Sequence, residues 1–151
     1  MKKSSVAEIR ERFDKDVERF SNLDTGQLTT IDAKISLELI TEAARRIVPN
    51  AEQLLDIGCG AGNYSLKMLS KLPNLECTLV DLSDPMLDKA YERVSEQTNK
   101  NVHVVKGDIR EVPLKQNHFD IILAGAVLHH LRDDQDWETT FKKIYGMLKP
   151  G

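Results

Sequence analysis

The sequence holds no apolar run approaching the ~18 residues that a membrane-spanning helix requires. Its opening stretch, MKKSSVAEIRERF, turns charged at once and so lacks the apolar centre of a secretory signal. Cysteine is scarce. The two present, Cys59 and Cys77, have no metal-ligand spacing and are expected as reduced, strand-associated thiols of a cytoplasmic protein. Neither sign of charge dominates: 21 Lys and Arg against 24 Asp and Glu leave a formal net charge of −3. That balance gives no electrostatic footprint for DNA, although a local patch for RNA would be masked by the total. Repeats and low-complexity tracts are absent too. What remains is ordinary for a globular chain, with 40% apolar and 30% charged residues arguing against disorder. At 151 residues the length suits one modest core.

Two periodicities alternate along the chain. Val6, Ile9, Phe13, Val17 and Phe20 recur at helical spacing, predicting one amphipathic helix over 6–20 capped by Ser4 or Ser5. A polar joint with Gly26 as breaker follows. A second helix is predicted over 32–48, with Asp32 as its cap and Pro49 beyond its end. From residue 50 the rhythm becomes strand–helix–strand, with strands expected at 53–58, 76–81, 102–107 and 119–125. Helical patterns fill 63–72, 84–97 and 134–148, the last with Trp137, Phe141, Ile144, Tyr145 and Leu148 on one face expected to be core. LLDI and IILA are apolar on both faces, as strands under helices on either side should be. The expected fold is therefore α/β: a Rossmann-like, doubly wound, mostly parallel sheet with N-terminal capping helices. Residues 1–49 would form the helical cap and 50–151 a ligand-binding domain. The stop at MLKPG, after a fourth strand and its helix, suggests truncation, with the fourth strand left as an edge or paired on one side only.

The densest chemistry lies in LLDIGCGAGNYSL, residues 54–66. Gly58 sits where the strand must turn sharply, Gly60 leaves the main chain bare for a ligand, and Gly62 is expected to let the next helix pack tightly against the sheet. The helix start beyond it favours an anionic group. A glycine-rich turn that binds nothing is the plain alternative. Against that alternative, Asp81 ends the second strand 23 positions after Gly58, and Asp108 ends the third. A strand-end carboxylate accepts hydrogen bonds from both hydroxyls of a ribose. Asp56, Asp81 and Asp108 on three successive strands point to a nucleoside pocket at the carboxyl rim of the sheet.

In order and spacing, LLDIGCGAGNYSL, TLVDLSDPMLDKA, VVKGDIREVPL, FDIILAGAVLHHL and MLKPG resemble the successive motifs of class I S-adenosylmethionine-dependent methyltransferases. The resemblance covers about residues 50–151, and G-x-G-x-G favours this family over the G-x-G-x-x-G of dehydrogenases. It implies S-adenosylmethionine as cofactor, with Gly58, Cys59 and Gly60 meeting its methionine part through backbone. It implies that Asp56 orders this loop or the cofactor amino group. Asp81 would hold the ribose, with Leu82 and Met86 flanking sugar and adenine. Asp108 and the Ile109 backbone would take the adenine edge, and Ala124 would lie beneath the sulfonium. Together with GDIR, the N-terminal stretch RERFDKDVERFSNLDTGQLTTIDAKISLELI more faintly resembles carboxy-S-adenosylmethionine synthase, an enzyme of tRNA modification.

The implied activity is methyl transfer to a small-molecule acceptor. AGAVLHHL stands where an amino-methylating DNA enzyme would carry NPPY, which disfavours a DNA substrate. No triad or metal constellation is needed, because the cofactor supplies the leaving group. His129 and His130 are the candidate bases, with a loop-shaping role as the plainer reading. The acids of RDDQD, 132–136, read as helix caps rather than a metal site. His103 and His118 read as surface residues, and Arg45 and Arg46 as a solvated helix face. A cofactor-binding fragment without catalysis is the other reading of so short a sheet. Acceptor, oligomeric state and catalytic residues stay open at this point.

Overall fold

The computed structural model describes residues 4–22 and 33–151. The element order is α1 (Val6–Asp14), α2 (Val17–Ser21), α3 (Ala33–Ile47), β1 (Gln53–Ile57), α4 (Asn63–Leu69), β2 (Glu76–Asp81), α5 (Asp84–Ser95), β3 (Val102–Lys106), β4 (Ile121–Leu123) and α6 (Asp134–Met147), with a 3-10 turn at Leu128–His130 before α6. Asp32 and Gly26 lie outside the described residues.

Ser5 caps α1 in a reciprocal box. Its hydroxyl accepts from the Glu8 amide at 3.3 Å, and the Glu8 carboxylate accepts from the Ser5 amide at 2.7 Å. The single helix expected over 6–20 is broken between Asp14 and Val17, with Asp16 at φ −116°. The break has a packing consequence. Seven residues of continuous helix would hold Phe13 and Phe20 about 10 Å apart along the axis, whereas here their ring centres lie 5.2 Å apart. Helix α3 ends ahead of Pro49, as expected.

The four strands form one all-parallel sheet in the order β3-β2-β1-β4. Side-chain alternation divides each strand between two cores. On one face Leu54, Cys77, Leu79, Ile121 and Leu123 pack with Met68 of α4 and Leu87, Ala90 and Val94 of α5. On the other, Leu55, Ile57 and Val80 pack with Ile109, Val112, Phe119 and Met147. The fold is thus the doubly wound α/β arrangement. Among the described residues β4 pairs only with β1, and it is shorter than the predicted 119–125, with Phe119 making an isolated parallel bridge to Leu148. Its base is clamped by Asp120, whose carboxylate accepts from the Glu52 and Gln53 amides at 3.0 and 2.9 Å and from Lys149 at 2.8 Å.

Helix α6 departs from its expected face. Thr140 and Met147 are buried and Ile144 is partly so, while Trp137, Phe141 and Tyr145 are 38%, 49% and 81% exposed. Thr140, Ile144 and Met147 share one stripe at helical spacing, which leaves the bulkier aromatic stripe turned away. Trp137 and Phe141 stack on each other instead, at 5.7 Å. Both cysteines are buried free thiols. His103 is exposed beside Glu76 at 3.0 Å, whereas His118 is half-buried against Phe119. Arg45 and Arg46 both pair with Glu42. Among the described residues no helix is long and apolar enough to cross a membrane.

Candidate functional site

The chain runs outward from β1 through β2 to β3, then returns to the far side of β1 for β4. That reversal opens a crevice at the carboxyl ends of β1 and β4, where ligands of open α/β sheets bind. The β1–α4 loop is bent across it. The Gly58 and Cys59 amides both donate to the Val80 carbonyl, at 2.8 and 3.0 Å. Gly58 has φ +64°, and a Cβ there would lie 2.4 Å from a Val127 methyl. A side chain there is strained by the backbone angle and by the contact together. Gly60, at φ +51°, has nothing within 4 Å of where a Cβ would stand, so its main chain faces open space. Gly62 performs a different task from the one expected. Its close neighbours are Ala90 and Val94, so it lets the loop approach α5 rather than the sheet.

That space is a cavity of about 460 Å³. Its floor is the glycine loop, with Asn63 and Tyr64. One side is formed by Asp81, Leu82 and Met86, another by Asp108, Ile109 and Arg110. Opposite lie Gly125–Arg132, including both His129 and His130. Ile9, Arg12, Phe13 and Phe20 of α1 and α2 close the remaining wall.

Of the residues proposed from sequence, Gly58, Cys59, Gly60, Asp81, Leu82, Met86, Asp108 and Ile109 line this cavity, and Asp56 and Ala124 do not. Asp56 lies behind the loop, 1% exposed, accepting from the Ser65 hydroxyl at 2.7 Å. Burial pushes its pKa up to about 7. Ala124 turns into the second core, and the wall begins one residue later at Gly125. A Cβ on Gly125 would strike the Tyr64 ring at 2.3 Å, so the two are matched.

Asp81 joins two loops. Its Oδ2 accepts from the Gly60 amide at 2.8 Å and its Oδ1 from the Ser83 amide at 3.0 Å. The Ser83 hydroxyl in turn accepts from Met86 N at the start of α5. Burial raises the Asp81 pKa, against the pull of those amides. Asp108 is held by Arg110: the guanidinium and the Arg110 amide reach Oδ1 at 2.9 Å, and Nη2 reaches Oδ2 at 2.5 Å. This cation keeps the Asp108 carboxyl below its ordinary range. Oδ1 thus carries two donors, while Oδ2 carries one and keeps acceptor capacity. Arg110 also reaches Asp136 at 2.5 Å, and Asp136 takes Arg132 as well. Asp133 caps α6 by accepting from Asp136 N at 2.9 Å. Of the acids of RDDQD, Asp133 therefore caps and Asp136 pairs.

Burial drives the Cys59 thiol pKa well up, which favours the neutral thiol over the thiolate. The His129 and His130 rings lie 3.9 Å apart, and His130 meets Phe13 edge-on at 6.1 Å. Among the described residues no group of three His, Cys, Asp or Glu side chains is placed to hold a metal. Sequence reasoning missed Tyr64, Gly125, Asn63, Arg110, Phe13 and Phe20 as parts of this site. Only Arg110, beside Asp108 in GDIR, had a local signal.

Fold and site together define a doubly wound α/β domain with a ligand cavity at its topological switch point. The profile of the methyltransferase domain family matches residues 54–151, and the chain belongs to that family. It is 26% identical over 151 residues to a demethylmenaquinone methyltransferase of Listeria monocytogenes serotype 4a, an alignment covering 99% of this chain and 60% of that protein. The chain thus spans about 60% of the length of this curated relative. Among solved structures it is similar to the N-methyltransferase NodS of Bradyrhizobium japonicum in complex with S-adenosylhomocysteine, with a TM-score of 0.68, 24% identity, and 92% and 69% of the two chains covered. It is likewise similar to the [4+2]-cyclase SpnF, with a TM-score of 0.74, 18% identity, and 100% and 59% covered. At these identities the structures show the fold alone, and a cyclase beside a methyltransferase shows that the fold does not fix the reaction.

Proposed function

We propose that the protein transfers a methyl group from S-adenosylmethionine to a small-molecule acceptor. One observation carries this reading: a bare glycine main chain and two strand-end carboxylates, Asp81 and Asp108, converge on one cavity. Its volume of about 460 Å³ falls within the roughly 300–1,000 Å³ of small-molecule sites. The open space over Gly60 suits a ligand pressed against backbone, and the Asp81 oxygens keep lone pairs for a vicinal diol. The remaining acceptor position of Asp108 Oδ2 suits an exocyclic amino group. Leu82, Met86 and Ile109 supply the apolar walls for a flat base. In this reading Asp56 orders the loop through Ser65 instead of touching the ligand, and Gly125 replaces Ala124 beneath the reacting centre.

When bound, S-adenosylmethionine supplies a methyl group activated by the adjacent positive sulfur. The residues' own work is positioning and exclusion of water. Residues 1–49 are read as the cap, which reaches the cavity through Phe13 and Phe20 of α1 and α2, and residues 50–151 as the cofactor domain. For an acceptor that must lose a proton, His129 and His130 are the imidazoles on the acceptor side. A small acceptor agrees with the name of the Listeria relative.

The test pairs calorimetric titration of S-adenosylhomocysteine with transfer of labelled methyl groups to a small-molecule extract. Binding with transfer supports the reading. Binding without transfer leaves a cofactor-binding domain, and absence of binding removes the reading.

A further inference from the structure

Asn63 stands in the floor of the cavity, yet both ends of its amide are engaged within the protein. Asn63 is the first residue of α4, directly after Gly62, and it is half-buried. Its Nδ2 donates to the Phe20 carbonyl at 2.9 Å. Its Oδ1 accepts from Arg93 Nη1 at 3.0 Å, and the same nitrogen donates to the Ala61 carbonyl at 2.5 Å. Three separate pieces of chain meet at this side chain: α2 of the cap, the glycine loop and α5.

The partner atoms are the ones that need partners. Phe20 is the penultimate residue of α2, and its carbonyl is among the last four of that helix, which have no intrahelical donor. Asn63 therefore caps α2 across a separation of 43 residues. Arg93 fixes which way round the amide stands, because only a carbonyl oxygen can face a guanidinium. The contact continues through the rings. Phe20 packs on Phe13, and Phe13 meets His130 on the far side of the cavity.

We propose that Asn63 is a positioning residue that couples the cap to the glycine loop, so that ligand binding at the loop stiffens α2. The proposal rests on the cofactor reading above. A ligand that stiffens the loop around Gly60 and Ala61 fixes the Arg93 and Asn63 pair, and through it the Phe20 carbonyl. The wall formed by Phe13 and Phe20, already packed ring on ring, is then held more firmly once the loop is filled.

Hydrogen–deuterium exchange of the α2 amides tests this, with and without saturating S-adenosylhomocysteine, in the wild type, Asn63→Asp and Asn63→Ala. The aspartate keeps an oxygen for Arg93 but sets a second acceptor against the Phe20 carbonyl. The alanine removes both bonds without adding charge and serves where the aspartate variant fails to fold. Saturation separates coupling from affinity. Ligand is expected to slow α2 exchange about tenfold in the wild type and less than about twofold in the variants, a ratio typical of coupled sites. Equal slowing in all three proteins, or no slowing in a wild type that binds the ligand, overturns the proposal. A wild type that does not bind the ligand overturns the cofactor reading, and this proposal with it.

Discussion

The Asp81 carboxylate lies 2.8 Å from the Gly60 amide nitrogen, so the acid at the end of β2 holds the bare turn that follows β1. The bond makes Asp81 part of the loop's own architecture. Asp81→Asn keeps one acceptor oxygen but turns an amide NH2 toward a backbone donor, either at Gly60 or at Ser83. A buried donor left facing a donor costs about 1–3 kcal/mol. S-adenosylhomocysteine affinity is therefore expected to fall about 10- to 100-fold by calorimetry. Retention of affinity within twofold would show that Asp81 neither orders the loop nor meets the ligand.

Gly58 and Gly60 separate folding from binding. Both have positive φ, at +64° and +51°, so alanine at either position strains the backbone by about 1–2 kcal/mol. At Gly58 the new methyl also enters the space of the Val127 side chain, while at Gly60 it enters the cavity. Gly58→Ala should lower the melting temperature more. Gly60→Ala should lose ligand affinity more for a smaller loss of stability. The reverse order, measured by thermal unfolding and calorimetry on the same preparations, would place the cavity elsewhere.

The strand ends were readable because chemistry coincides with local sequence there. Glu76–Asp81 stops where the acid stands, and three glycines mark the turn after Ile57. Ala124 shows the limit of such reading: with side chains alternating between two faces, a shift of one residue separates the second core from the cavity wall. Nothing near Asp14 announces the break between α1 and α2, since no proline or glycine stands between them. Yet that break brings Phe13 to Phe20. The Asn63 and Phe20 bond spans 43 positions and depends on where the cap folds, which no window of sequence contains. Likewise Tyr64 was hidden because its match is Gly125, which follows β4, next to β1 in the sheet but far from it in sequence.

Asp56 makes stability depend on pH. Its pKa is raised by burial from 3.8 to about 7, so the folded protein favours the protonated carboxyl. The stability this group contributes is fully present below the ordinary value and is lost as pH rises through about 7. The buried Asp81 has a shift of the same sign, so some pH dependence survives without Asp56. Asp56→Asn keeps an oxygen for the Ser65 hydroxyl and cannot ionise. Relative to wild type it should gain on the order of 1–3 kcal/mol between pH 5 and pH 8, several degrees in Tm. Parallel Tm curves for the two proteins across this range would mean that Asp56 ionises in the fold without cost.

Helix α6 sets two apolar stripes against each other. By size, Trp137, Phe141 and Tyr145 look like the core face, but they are 38%, 49% and 81% exposed, while Met147 is 0% exposed within the second core. Buried area, not side-chain size, decides what a truncation costs. Met147→Ala opens a cavity among Leu55, Phe119 and their neighbours and should cost about 2–4 kcal/mol in urea denaturation. Tyr145→Ser should stay within about 0.5 kcal/mol, as an exposed site does. Phe141→Ser should fall between, because it also loses its stack on Trp137 at 5.7 Å. An unchanged m-value across the series is required for the comparison. If Phe141→Ser cost as much as Met147→Ala, the helix would sit on the sheet by its aromatic stripe, rotated from the orientation described above.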